Sequence, residues 1–184
     1  MNRYELLETL VPVLEDALVV CNIGIPSQEL HAISDRDNHF YMLGSMGLCS
    51  SIGLGLALTT QKRVVALEGD GAVLMNLGTL ATIGNRAPDN LILLIIDNGS
   101  YGSTGDQATY TSGETSLAAV ARGAGSQKVI ECPGEETAGV LADCLTARRA
   151  AVIVSRVAAG NRPLPVVPLH PIVLRERFRQ SIRK

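Results

Sequence analysis

Tryptophan is absent from the chain, and Phe and Tyr together make up 3% of its 184 residues. The core must therefore be aliphatic, built from Val, Ile, Leu and Ala. That composition, with 18 glycines, suits an α/β sheet covered by helices better than a β-sandwich or an aromatic-stacking nucleic-acid module. No excess of positive charge is present: the formal net charge is −2, which argues against a general polyanion binder and gives no reason to expect nucleic acid as a partner. Four cysteines (Cys21, Cys49, Cys132, Cys144) show no CxxC spacing and three histidines (His31, His39, His170) no HxxxH, so no structural zinc site is expected. The thiols read as small apolar residues kept reduced in the cytoplasm. No apolar stretch reaches about 18 residues, so no membrane span is expected. The N-terminal MNRYELLETLVPVLEDA carries acids through its apolar run and lacks a signal-peptide core. There is no Gly-Lys-Ser/Thr, hence no P-loop, and no Gly-x-Ser-x-Gly elbow.

What is present alternates. Residues 3–15 read as a helix interrupted at Pro12, followed by a buried strand at 17–21 and a short helix opened by Pro26 with Ser27 as N-cap. A strand at 40–43 leads into Gly44-Ser45-Met46-Gly47 and then a helix through SSIGLGLALTT. There Gly53 and Gly55 would let the helix lie close to the sheet, at about 1 kcal/mol of propensity per glycine. Strands at 64–67, 91–96, 128–130 and 151–155 are separated by helices at 72–85, 117–121 and 135–148. The expected fold is α/β: a doubly wound, mostly parallel sheet of about six strands in a single domain over residues 1–160. A Pro-rich arm and a basic helix follow over 161–184. Residues 162–184 carry a net +5. This tail reads as a solvated basic helix packing on Leu174, Phe178 and Ile182, or as a docking arm or cation source for an anionic substrate.

Three glycine-bearing loops, 44–47, 69–71 and 97–105, each follow a predicted strand, and in an open parallel sheet all three share the carboxyl edge, where ligands bind. Gly69-Asp70-Gly71 also precedes a predicted helix whose free N–H groups suit a phosphate. An aspartate there needs a cation between itself and the phosphate. Asn98, 28 residues on, offers a neutral oxygen; with a main-chain carbonyl and phosphate oxygens this makes a hard-oxygen set suited to Mg²⁺. DG and NG are also common turn dipeptides, so either pair alone reads first as a turn. GDG after one strand and DNGSYG after the next are together far more specific.

In these residues the chain resembles the diphosphate-binding domain of thiamine diphosphate-dependent decarboxylases. Within that family CNIGIPSQEL, FYMLGSMG, SSIGLGLAL, EGDGAVLMNLGTLATIG and DNGSYGSTGDQ, over roughly residues 20–110, resemble the sulfopyruvate decarboxylase β subunits and the related phosphonopyruvate decarboxylases. The resemblance implies thiamine diphosphate and Mg²⁺ as cofactors, the metal held by Asp70 and Asn98 through side chains and by Ser100 through its carbonyl. It implies that Gly69, Gly71 and Ala72 face the diphosphate, that Gly44, Ser45 and Met46 meet the aminopyrimidine with Met46 as the bulky support, and that Tyr101 and Gly102 complete the wall. Two positions depart from the usual pattern, Asp97 for the first Asn of an Asn-Asn pair and Ala72 for Ser after GDG, and neither removes a ligand.

The resemblance further implies decarboxylation of a small anionic 2-oxo acid, sulfopyruvate to sulfoacetaldehyde and CO₂, or phosphonopyruvate as the alternative. The family activates its cofactor with a glutamate carried by a separate pyrimidine-binding domain, for which this chain has no room; Glu68, beside the metal loop, is badly placed for the task. The implied partner is an α subunit supplying that glutamate, in a hetero-oligomer of at least α2β2. Arg36, His39 and the basic tail are candidates to face the substrate's distal anion, and Gln107 to hydrogen-bond it. The rivals are a nicotinamide-binding Rossmann domain, a non-catalytic regulatory subunit that kept the fold, and a Cys49/His39 nucleophile pair. The first has only Gly53-Leu54-Gly55, inside a helix and without the third glycine. Against the second, a decayed site has no physical reason to keep Asp70 and Asn98.

Overall fold

Continuous apolar runs flanked by polar turns become the strands of one parallel sheet. The computed structural model describes residues 1–183, with strands β1 (Leu18–Cys21), β2 (His39–Tyr41), β3 (Val64–Gly69) and β4 (Leu91–Asp97). They are followed by a two-residue hairpin, β5 (Ser100–Tyr101) with β6 (Gln107–Ala108), then β7 (Val129–Pro133) and β8 (Ala151–Arg156). The six main strands lie in the order β2-β1-β3-β4-β8-β7, every pair parallel. All seven residues of β4 are buried, as a central strand covered on both faces requires.

The helices are α1 (Arg3–Leu10), α2 (Ile25–Ile33), α3 (Cys49–Ala57), α4 (Asp70–Met75), α5 (Gly78–Arg86), α6 (Leu117–Gly123), α7 (Gly134–Ala147) and α8 (Pro171–Arg183). The period of two along β4 sorts them into layers. Ile92, Leu94 and Ile96 pack with Leu6, Leu7 and Leu10 of α1, Leu30 of α2 and Leu141 of α7. Leu91, Leu93 and Ile95 pack with Leu54 of α3, Leu80 of α5 and Ala118 of α6. The sheet is thus doubly wound, as expected. Residues 159–170 have no regular secondary structure, and α8 then covers the exposed side of edge strand β2. Leu174 and Phe178 are buried, Phe178 packs against Phe40, and Arg177 pairs with Asp35 at 2.8 Å and Asp37 at 3.0 Å.

Local expectations fail where a tertiary contact overrides propensity. Ser27 is not an N-cap: α2 begins two residues earlier, and the Ser27 hydroxyl donates to the carbonyl of Asn22 at 2.6 Å. The helix expected at 72–85 is two helices, broken at Asn76, whose Nδ2 donates to the carbonyl of Gly47 at 3.0 Å and so ties the 44–47 loop down. Gly69-Asp70-Gly71 is not a loop: Gly69 ends β3 and Asp70 begins α4. Only one of the two α3 glycines serves close packing. A Cβ at Gly53 would sit 2.8 Å from the Cβ of Ala66, whereas Gly55 faces open space. The two positions therefore respond oppositely to alanine. Gly53→Ala destabilises by about 1–3 kcal/mol through overpacking, and Gly55→Ala stabilises by about 0.5–1 kcal/mol; urea unfolding midpoints of both variants check the pair.

Candidate functional site

The chain leaves β1 toward β2 on one side and returns to β3 on the other, so a crevice opens above the carboxyl ends of β1 and β3. A cleft of about 200 Å³ lies there. Met46, Gly69, Asp70, Gly71, Ala72, Asn98, Ser100, Tyr101 and Gly102 all line it, brought together from the ends of β2, β3 and β4. Gly44 and Ser45 do not line it; they stand exposed on the rim, Ser45 in the left-handed region at φ 63°, a cost of about 1–2 kcal/mol for a non-glycine residue. A second cavity of about 220 Å³, at the opposite edge among Lys128, Arg148 and Arg149, holds none of the motif residues.

Asp70 is 2% exposed, and its Oδ2 accepts hydrogen bonds from the hydroxyls of Thr109 at 2.6 Å and Thr111 at 2.9 Å. Its Oδ1 takes none from a described side chain. Burial raises the Asp70 carboxyl above the usual range, the hydroxyl of Thr109 pulls it back, and the charge of Asp97 raises it again. Asp97, at the end of β4, accepts from Thr111 at 2.8 Å through Oδ1 and meets Arg156 at 2.7 Å through Oδ2. Register makes the second contact, because Asp97 and Arg156 are direct partners across β4 and β8. Asn98 Oδ1 accepts from the Ser100 N–H at 3.1 Å, which fixes the amide's orientation and leaves that oxygen a second lone pair.

Three buried polar atoms on the cleft residues have no hydrogen-bond partner among the described residues: Asn22 Oδ1, Glu68 Oε1 and Asn98 Nδ2. Each unmet group costs about 1–3 kcal/mol unless water or a ligand reaches it, which leaves unused hydrogen-bonding capacity in the walls of a cleft whose surface is mostly apolar. Glu68 is fully buried; its Oε2 accepts the Ser50 N–H at 3.0 Å in the first turn of α3, and burial raises its carboxyl above the usual range. At Gly71 a Cβ would overlap the Tyr101 ring, which lies flat enough on the start of α4 to close one wall.

Sequence reasoning missed part of this site. Arg3, which carries no motif and only opens the first predicted helix, is buried on the cleft wall, where it bonds Glu29 at 2.7 Å and Asn161 Oδ1 at 2.7 Å; Asn161 Nδ2 in turn donates to the Gly102 carbonyl at 3.0 Å. Thr109 and Thr111 carry no recognisable spacing. Asn22 was within reach, since the carboxyl-end rule applied to β1 as well as β3 points to it.

Other candidates lie elsewhere. His39 is 1% exposed against Tyr41, and burial pushes its imidazole down to about 4, with Arg36 adding to the effect, so it stays neutral and faces no substrate. Arg36 bonds Ser34 outside the cleft. Gln107 spends its amide within the hairpin, on Thr104. Arg177 of the tail is held by Asp35 and Asp37. Cys49 is buried, its Sγ donating to the Val20 carbonyl at 3.1 Å and its thiol raised well above the ordinary value by burial, so it is no nucleophile.

Residues 25–155 match the family model described as the thiamine pyrophosphate enzyme C-terminal TPP-binding domain. The chain is 44% identical over 184 residues to the sulfopyruvate decarboxylase subunit beta of Methanococcus maripaludis, covering 100% of this chain and 99% of that one. It is 48% identical over 132 residues to the phosphonopyruvate decarboxylase of Streptomyces viridochromogenes, covering 71% of this chain but 33% of that longer one. The crystal structure of benzoylformate decarboxylase from Polynucleobacter necessarius superimposes with a TM-score of 0.64 at 18% identity, over 88% of this chain and 34% of that one, a likeness of fold.

Two outcomes follow from the geometry. Gly71→Ala leaves the chain folded but swings the Tyr101 ring off the wall, seen as a changed tyrosine environment in near-ultraviolet circular dichroism. His39 is neutral when folded and protonates near 6.5 when unfolded, so its contribution to stability is full above pH 6.5 and is lost as pH falls toward 4. The loss is about 3 kcal/mol, and His39→Gln flattens that limb in unfolding titrations.

Proposed function

The chain belongs to the thiamine pyrophosphate enzymes, whose C-terminal TPP-binding domain it carries, and from that membership we propose that it is the diphosphate-binding subunit of a two-chain sulfopyruvate decarboxylase. The enzyme is a carboxy-lyase that converts sulfopyruvate to sulfoacetaldehyde and CO₂. Coverage favours this substrate over phosphonopyruvate: the chain spans nearly all of a sulfopyruvate decarboxylase β subunit and a third of a phosphonopyruvate decarboxylase. The observation that carries the reading is the convergence of Met46, Asp70 and Asn98, from three strand ends, on one cleft.

Bound thiamine diphosphate supplies the sink for the electrons released with CO₂. The residues present fit it. Among the described residues no group of three His, Cys, Asp or Glu side chains converges, and a Mg²⁺ ion here would be held by a mixed oxygen set from the side chains of Asp70 and Asn98 and the carbonyl of Ser100. Gly69, Gly71 and Ala72 face the diphosphate, where the absence of side chains beyond a methyl allows close approach. Gly44, Ser45 and Met46 take the aminopyrimidine, Met46 supporting the cofactor from the cleft while Gly44 and Ser45 wait on the rim. Tyr101 and Gly102 shut the outer wall.

Two tasks fall to the partner, an α subunit with the pyrimidine-binding domain. Glu68 is the glutamate on the cleft wall; it is fully buried, with Oε2 held by the start of α3 and Oε1 closed off from the cleft surface, so the activating glutamate is assigned to the other chain. Arg3 is the cation on that wall, and Glu29 and Asn161 hold it; the charge that meets the sulfonate comes from the other chain as well. Exposed Leu43, Leu48 and Met75 beside the rim give that chain an apolar surface to cover. We place the complex, at least α2β2, in the cytoplasm, where its free thiols stay reduced.

The purified chain alone releases no CO₂ from sulfopyruvate, and adding the partner restores release. In the assembled complex Asp70→Ala abolishes, and Asn98→Ala weakens by about tenfold or more, the Mg²⁺-dependent retention of thiamine diphosphate in isothermal titration. Turnover by the isolated chain overturns the two-chain reading, and undiminished retention in Asp70→Ala overturns the metal site.

A further inference from the structure

The contacts around Asp70 contain more acceptors than hydrogens. Thr109 and Thr111 approach Asp70 Oδ2 at 2.6 and 2.9 Å, Thr111 approaches Asp97 Oδ1 at 2.8 Å, and the two hydroxyls lie 2.8 Å apart. Four short contacts share two hydroxyl hydrogens, since each hydroxyl donates once. None of the four residues is more than 5% exposed, so bulk water has little access to these contacts. Thr109 has one carboxylate in reach, and its hydrogen belongs to Asp70. Thr111 stands between two carboxylates, and its single hydrogen serves one at a time.

We propose that Thr111 is a positioning residue whose hydroxyl turns between Asp70 and Asp97 according to whether Asp70 holds a divalent cation, with Thr109 fixing the Asp70 rotamer throughout. The proposal rests on the reading of Asp70 as a metal ligand. With no cation, Asp70 is a buried anion whose Oδ2 keeps its full share of the carboxylate charge, and both hydroxyls donate to it. When Oδ1 binds a cation, electron density moves toward the metal and Oδ2 becomes a poorer acceptor. Asp97 then draws the Thr111 hydrogen. Asp97 is ready for both states because its other groups do not change: the Gly99 N–H at 3.2 Å stays on Oδ1 and Arg156 at 2.7 Å stays on Oδ2. Arg156 is itself held by Glu131 at 3.0 Å. The carboxylate that takes the metal is thus aimed by one hydroxyl and relieved by the other, without a proton leaving the site.

The test measures Mn²⁺ binding by electron paramagnetic resonance in the assembled two-chain protein with thiamine diphosphate present, a readout independent of turnover. Thr109→Val and Thr111→Val, which keep the shape and remove the hydroxyl, each weaken Mn²⁺ about 10–100-fold, and Thr111→Ser, which keeps the hydroxyl, restores binding. Thermal midpoints run alongside; if one valine variant does not fold, the other and the serine variant carry the comparison. Asp70→Ala separates the two readings. If it abolishes Mn²⁺ binding while folded valine variants bind as the parent does, or if Thr111→Ser fails to restore binding, the positioning role is overturned and the ligand assignment stands. If Asp70→Ala binds Mn²⁺ unchanged, the ligand assignment falls and the positioning role with it.

Discussion

Two carboxylates buried at the ends of adjacent strands are the constraint around which this molecule is arranged. Asp70 and Asp97 are each 2% exposed, and the charge of Asp97 raises the cost of keeping Asp70 ionised. A fold can carry such a pair only if hydrogen bonds and counter-charges surround it. Here the 3₁₀ turn at Tyr110–Ser112 supplies two hydroxyls, and Arg156 supplies a cation because β4 and β8 pair in a register that sets it opposite Asp97. The hairpin of β5 and β6 is explained by the same need, since it folds the chain back so that residues 109–111 reach Asp70. The remaining imbalance, an Asp70 oxygen without a described side-chain donor, is what suits the cleft to a cation.

The sheet was legible because its strands are written as nearly pure apolar segments, LVVC, VVALEG, LILLIID and AVIVSR, in which no other element could bury every residue. Asp70 and Asn98 were legible for a different reason. Each ends or follows such a segment, so strand position and residue type point to one edge together. What escaped depends on contacts between distant parts of the chain. Arg3 meets Asn161 across 158 residues, and Thr111 meets Asp70 across 41; no local pattern marks either. Helix boundaries erred similarly. Asn76 breaks a helix that propensity would continue because its amide serves the Gly47 carbonyl, and Gly55, identical in type to Gly53, lies on the other side of α3.

The cleft's wall is drawn from both ends of the chain. Arg3, near the start, donates to Asn161 at the beginning of the arm, Asn161 in turn donates to the Gly102 carbonyl, and Glu29 of α2 accepts the Arg162 N–H at 3.2 Å. A side chain at Gly102 would fill the place where the Asn161 amide sits. The order of the 97–105 segment therefore depends on an element more than fifty residues away, and the arm braces the cleft wall without containing a motif residue.

Parallel topology has a cost in time. Strand β4 bonds β3 on one side as soon as both exist, but its other side waits for β8, which begins at Ala151. While the ribosome adds the intervening residues, LILLII presents an unpaired apolar edge of the kind that templates intermolecular pairing. The β4 edge stays open until β8 has emerged, so slow synthesis of the residues that separate the two strands prolongs its exposure.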